Sequence, residues 1–232
     1  MSIYVMSDLH GEADLFHAML RKISFSEQDK LIILGDVIDR GPLGISLLTE
    51  IMDTPNMEML LGNHEYMMLQ YFDPQATLVE ILRWGKNGNE PTIAEYDRLQ
   101  QEQKDEIINF LQKLPTHMEI DLGSKKYYLV HAFPGANVHD EAWVRPSIDT
   151  PNPLEGVTLI IGHTPVLHLI ADKEERTACE TQMISRGEHP RIHYAEGFTD
   201  IDCGCSYSKP LKTLGCLRLD DMTEFYVNYE HI

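Results

Sequence analysis

The chain is 232 residues long, 43% hydrophobic, with a formal net charge of −18; that length and apolar content suit one domain with a sizeable core. The charge argues against sequence-independent nucleic-acid binding, because phosphate backbones are gripped by clustered Lys and Arg. Apolar runs extend for only a handful of residues, against the roughly 18 needed to cross a bilayer, so no membrane partner is expected.

In chain order, Ile3-Tyr4-Val5-Met6 is the first expected strand. It starts almost at once, with no basic n-region, apolar h-region or small-residue cleavage site, the pattern of a cytoplasmic protein. Leu15, Met19 and Leu20 then show helical spacing, 31–34 is a second strand, Leu47, Leu48 and Ile51 mark a second helix, and 57–61 is a third strand. This alternation predicts a βαβαβ unit with a mostly parallel sheet, whose ligands collect at the carboxyl ends of the strands. Residues 66–115 read as a helical insertion, with one helix at 105–114 and breaks at Asp73-Pro74, 85–89 and Pro115. Further strands are expected at 127–130 and 157–161. The polar, charge-rich stretch within 171–199 predicts an extended loop or hairpin. Strand-like runs at 199–203, 214–219 and 224–227 predict a second, more antiparallel sheet. No Gly/Ser linker or composition shift divides the chain, so 1–232 is expected to form a single domain. Cys179, Cys203, Cys205 and Cys216 lack CxxC pairing and are expected to be reduced thiols.

Each of the five main strands ends in a short polar motif: Asp8-Leu9-His10-Gly11, Gly35-Asp36-Val37-Ile38-Asp39-Arg40-Gly41, Gly62-Asn63-His64-Glu65, Val130-His131-Ala132 and Gly162-His163-Thr164. Hard divalent ions such as Mn²⁺ favour carboxylate and amide oxygens together with imidazole nitrogens. Asp36 is the candidate bridge, because one carboxylate can serve two ions. Asp8 and His10, two apart in an extended segment, would point to one side and clasp the first ion. Asn63, His131 and His163 would supply the second, each from a different strand end. Two ions roughly 3.5–4 Å apart can share a water, lower its pKa and neutralise phosphoryl oxygens during in-line attack.

His64, beside Asn63, is the candidate general acid for the leaving alcohol, and Asp39 its orienting partner. Arg40 can present a planar fork to phosphate, and Arg145, in Trp143-Val144-Arg145-Pro146, is the candidate second clamp. Each residue also has an ordinary reading. Asp8 could cap a helix, His131 and His163 could be hydrogen-bonded core histidines, Asp39 could pair with Arg40 or a backbone amide, and Arg145 could be a surface arginine. The recurrence of six such ligands at strand ends counts jointly against those readings.

These motifs, in this order, resemble the phosphoprotein phosphatases of the metallophosphoesterase superfamily, especially the small bacterial serine/threonine type. The family pattern is D-x-H, G-D-x-x-D-R-G, G-N-H-E, H-A or H-G, and G-H-T, and the resemblance covers 2–165 and 201–219. It implies an α/β fold of the calcineurin-like metallophosphoesterase type, a β-sandwich flanked by helices with a βαβαβ metal-binding core. It also implies Asp8, His10 and Asp36 on one ion, Asp36, Asn63, His131 and His163 on the other, His64 as acid, and Arg145 as the arginine of a W-x-R element. Three departures stand out. Val37 and Ile38 replace the Tyr-Val common in eukaryotic members, 171–199 is longer than in small viral and bacterial relatives, and Asp202-Cys203-Gly204-Cys205 stands where an Asp-x-Gly turn is usual.

The resemblance implies hydrolysis of phosphoserine and phosphothreonine, extending to phosphotyrosine, on proteins or peptides by direct attack of metal-bound hydroxide. Mn²⁺ is the expected metal, with Fe²⁺ and Zn²⁺ suiting the same donors. The alternative is symmetric hydrolysis of dinucleoside polyphosphates. Enzymes of that kind usually have alanine at the place of Asp39 and tryptophan after the last motif's histidine, where this chain has Asp39 and Thr164. A non-catalytic binding scaffold is a third class, opposed by the intact ligands, acid and arginines.

Overall fold

The computed structural model describes residues 1–231. The chain begins β1 (Ile3–Met6), α1 (Ala13–Lys22), β2 (Lys30–Ile33), α2 (Gly44–Asp53) and β3 (Met57–Met59). β1 pairs with β2 and β2 with β3, both in parallel, as the βαβαβ pattern predicts. Four helices follow: α3 (Asn63–Phe72), α4 (Leu78–Lys86), α5 (Glu90–Tyr96) and α6 (Gln101–Leu111). After them come β4 (His117–Leu122), β5 (Lys125–Val130), α7 (Val138–Trp143), β6 (Thr158–Ile161), α8 (Lys173–Arg186), β7 (His193–Tyr194), β8 (Thr199–Asp200), β9 (Thr213–Arg218) and β10 (Thr223–Asn228).

Two mixed five-stranded sheets result, ordered β10-β9-β1-β2-β3 and β4-β5-β6-β8-β7. Successive strand side chains face opposite ways, and here that alternation sorts them into separate cores. Ile3, Val5, Ile32 and Leu34 meet Tyr127, Leu129 and Ile160 of the other sheet between the layers. Tyr4, Met6, Leu31 and Ile33 face outward onto α1 and α2 through Phe16, Met19, Leu47 and Leu48. On the far side of the second sheet, Tyr128, Val130, Leu159 and Ile161 pack with Phe133, Leu169 and Phe198. The strands are hydrophobic on both faces because helices or the partner sheet cover both faces.

Two expectations are corrected. The late strands do not form a sheet of their own: β9 and β10 extend the first sheet antiparallel to β1, while β8 joins the second sheet between β6 and β7. About half of the stretch expected as a loop or hairpin at 171–199 is instead the fourteen-residue helix α8, and its end is a hairpin, β7 against β8. α8 is capped by Asp172, whose side chain accepts the Glu175 N–H, and closed by Gly187 at a φ of 64°. None of its residues is buried, so it lacks the apolar stripe that periodicity detects, and only its end signals mark it. Among the described residues, no helix is long and apolar enough to cross a membrane.

Candidate active site

The carboxyl ends of β1, β2, β3, β5 and β6 carry the five motifs to one place. Asp8, His10, Asp36, Asn63, His64, His131 and His163 are all buried there. The backbone is forced into unusual conformations to deliver them. Among the described residues, eight non-glycine residues have positive φ, and six of them are Asp8, His10, Asp36, Asp39, Arg40 and His163. Each such residue costs free energy that the surrounding packing must offset. Asp8 and His10 therefore converge through left-handed backbone, at φ values of 55° and 45°, and not through the extended segment expected. Gly62 and Gly162 are equally constrained, since a Cβ at Gly62 would overlap the Asp36 side chain and one at Gly162 would overlap Ser7 and Asp8.

Asp36 is the hub. Its Oδ2 lies 3.8 Å from His10 Nε2 and 3.8 Å from His64 Nε2, and its Oδ1 lies 3.4 Å from His131 Nε2. Two donor clusters therefore share it: His10, Asp36 and His64, and Asp36, His131 and His163. Asn63 Oδ1 is 3.0 Å from His131 Nε2, while His131 Nδ1 faces the Leu34 carbonyl at 2.9 Å. Asp8 stands beside the first cluster, its Oδ1 4.0 Å from His10 Nε2, and its Oδ2 accepts the His163 N–H at 2.9 Å and the Ser7 hydroxyl.

Packing these groups together perturbs their ionisation. Burial holds His10 and His163 well below the usual imidazole range, reinforced by His64 and Arg40 at the first and by His131 at the second. Burial acts the same way on His131, but Asp36, Asp8 and Glu65 outweigh it, and its pKa is raised to about 9. For Asp36, burial pushes upward, yet His131, His64 and His10 together hold it well below the usual carboxylate range.

His64 Nδ1 lies 2.6 Å from Asp39 Oδ2, with both side chains fully buried. The exposed Arg40 turns its guanidinium inward, NH1 at 2.6 Å from His10 Nε2 and NH2 at 3.0 Å from His64 Nε2, with NH1 also donating to the Ser206 hydroxyl at 3.1 Å. A guanidinium only donates, so both Nε2 atoms act as acceptors here, and the His64 proton sits on Nδ1 and is donated to Asp39. Arg145 is exposed and makes no hydrogen bond among the described residues, but its charge acts on His163 and Asp200. It stands at the rim.

Sequence reasoning left Glu65 without a role. Its Oε2 accepts the N–H groups of Asp36 (2.9 Å) and Gly62 (3.2 Å), and its Oε1 those of Val37 (2.9 Å) and Ile38 (3.3 Å). The signal was present, because a Glu three residues after a helix cap commonly folds back on backbone donors. Trp84 and Thr92, which also reach Asp39, had no such signal. Cys203 and Cys205 are buried and form no disulfide, and burial pushes their thiols well above the usual range.

The family model of calcineurin-like phosphoesterases matches residues 1–187. The chain belongs to this family. This calcineurin-like phosphoesterase is 35% identical over 136 residues to serine/threonine-protein phosphatase 2 of Escherichia coli strain K12, an alignment covering 58% of this chain and 60% of that protein. It is 31% identical over 134 residues to the symmetrical bis(5'-nucleosyl)-tetraphosphatase of Cronobacter sakazakii, covering 57% of this chain and 43% of that one. The chain thus spans about half the length of the curated relatives it matches. A solved metallophosphoesterase from Sphaerobacter thermophilus superposes with a TM-score of 0.56 at 18% identity, over 99% of this chain and 88% of that chain, a likeness of fold.

Proposed function

We propose that this calcineurin-like phosphoesterase is a phosphoprotein phosphatase acting on phosphoserine and phosphothreonine, and extending to phosphotyrosine. The observation that carries this reading is the buried His64–Asp39 pair at 2.6 Å, the feature that dinucleotide hydrolases with alanine at that place would lack.

The donor set fits divalent ions. His163 Nε2 is buried without a hydrogen-bond partner among the described residues, and Asn63 Oδ1 and Asp36 Oδ1 converge on His131 Nε2 at 3.0 and 3.4 Å, where a divalent ion would take the place of the His131 proton. A cation satisfies such a cluster better than any rotation of these groups. Asp8, His10 and Asp36 would hold one ion, and Asp36, Asn63, His131 and His163 the other, with Mn²⁺ proposed over Fe²⁺ and Zn²⁺. Bound there, they would supply charge neutralisation for the phosphoryl group and a more acidic water. His64 would carry its transferable proton on Nε2, oriented by Asp39, and give it to the leaving oxygen. A phosphoryl oxygen offers Arg40 a stronger acceptor than two imidazoles, so substrate binding would draw Arg40 off His64 Nε2 and leave that atom free to carry the proton. Arg145 would close on the phosphate from the rim. A cytoplasmic location is proposed with this activity.

Because His131 must be neutral to act as a ligand and its pKa is raised to about 9, loading at neutral pH should release a proton. Mn²⁺ affinity is expected to rise by about tenfold per pH unit up to about pH 9. Calorimetry at pH 7.5 in two buffers of different ionisation enthalpy reads that proton directly, and an identical heat in both would contradict the ligand assignment.

The second reading, symmetric hydrolysis of dinucleoside polyphosphates, is supported by the Cronobacter sakazakii relative. The deciding experiment measures phosphate release, with Mn²⁺ and with EDTA, from a phosphothreonine peptide beside diadenosine tetraphosphate with direct nucleotide detection. Metal-dependent turnover of the peptide is expected. Preference for the dinucleotide would transfer the chemistry to the second reading, and background release from both would leave a binding scaffold.

A further inference from the structure

We propose that Trp84 and Thr92, two buried residues of the helical segment 66–115, are positioning residues for the His64–Asp39 acid pair. The proposal rests on the phosphatase reading above and assigns that segment a part in the chemistry.

Asp39 has no solvent access and is held at a φ of 71°, so its carboxylate can be satisfied only by protein donors. It receives three. Trp84 Nε1 donates to Oδ2 at 2.7 Å, the same oxygen that takes His64 Nδ1 at 2.6 Å, and the Thr92 hydroxyl donates to Oδ1 at 2.6 Å. Thr92 Oγ1 in turn accepts the Asp39 N–H at 2.9 Å, which ties the residue's backbone and carboxylate to one side chain. Trp84 and Thr92 are themselves fully buried. Trp84 sits on α4 and Thr92 on α5, so the two helices grip opposite oxygens of one carboxylate. Between them the Gly88 carbonyl accepts the Arg40 N–H at 2.8 Å, so the same junction also holds the neighbouring arginine.

With both oxygens occupied in fixed directions, the carboxylate cannot rotate, and the imidazole that bonds to it keeps one plane. Freed of Trp84, Oδ2 could swing out of that plane. Freed of Thr92, Oδ1 would lose its donor and the strained Asp39 backbone its anchor. In either case Nε2 of His64 would no longer be held toward the leaving oxygen.

The leaving group provides the test. When the ester P–O bond breaks, its electron pair remains on the leaving oxygen, and the proton on His64 Nε2 moves to that oxygen. A seryl alkoxide needs that proton, whereas p-nitrophenolate leaves without it. Trp84→Phe and Thr92→Val should therefore each lower kcat for a phosphoserine peptide by about 10–100-fold. KM, metal content and turnover of p-nitrophenyl phosphate should stay close to wild type. Thr92→Ser, which keeps the hydroxyl, should restore the wild-type ratio of the two substrates. In a His64→Asn background, Trp84→Phe should add no further loss, because it acts through His64. Equal losses on both substrates, or an undiminished effect in the His64→Asn background, would overturn the proposal while leaving the phosphatase reading intact. A wild-type protein inactive on both monoesters would instead overturn that reading, and this one with it.

Discussion

Replacing His64 with asparagine is expected to lower turnover of a phosphopeptide by about 10²–10⁴-fold, the range that a positioned proton donor contributes. Asparagine has no proton to transfer, yet it preserves much of the surroundings. The backbone N–H of residue 64 would still reach Asp36 Oδ1, a 3.0 Å contact that does not involve the ring. Neither cluster around Asp36 loses a carboxylate, and the second cluster loses nothing. Metal content, measured by elemental analysis after dialysis, should therefore survive while kcat collapses. The imidazole stacks edge-on against His10 at 4.7 Å between ring centroids, so a small rearrangement there is tolerable. Equal activity in the variant would remove His64 from the acid role.

Asp36→Asn should have the opposite signature, with loss of metal before loss of anything else. Among the described residues, Asp36 is the one member common to both donor clusters. It is also the group whose negative charge raises His131 and opposes the mutual repulsion of the buried imidazoles. Asparagine is isosteric and can keep the backbone contact to Glu65 Oε2 at 2.9 Å, so the local fold should hold. Without the charge, however, the site would keep Asp8 as its one carboxylate ligand among several imidazoles. The drop in metal affinity should exceed the about 10–100-fold typical of losing a ligand's hydrogen-bonded support. Unchanged metal content would exclude Asp36 as the bridge.

Much of this cluster was legible in the chain because its candidate donors are local. Asp8-x-His10, the Asp36–Arg40 run and Asn63-His64 each sit directly after a strand whose apolar run marks its own end. A parallel sheet then brings every such end to the same edge. Arg145 shows the limit, since nothing in its spacing from His131 indicates an exposed rim position. α8 shows another, because a helix that buries no residue offers no periodicity to read.

By itself the sequence determined the strand and helix alternation of the first sixty residues, the order of the motifs and the chemical type of each donor. Side-chain chemistry and hydrophobic period are properties of neighbours along the chain. Tertiary structure alone decided which sheet the last strands join, that Glu65 braces the Asp36 loop, and that Trp84 and Thr92 clamp Asp39 across 45 and 53 positions of sequence. Those outcomes depend on which hydrophobic faces and which buried donors and acceptors meet once the layers close. A buried carboxylate takes whatever donors packing brings within 3 Å, and sequence separation has no bearing on that distance.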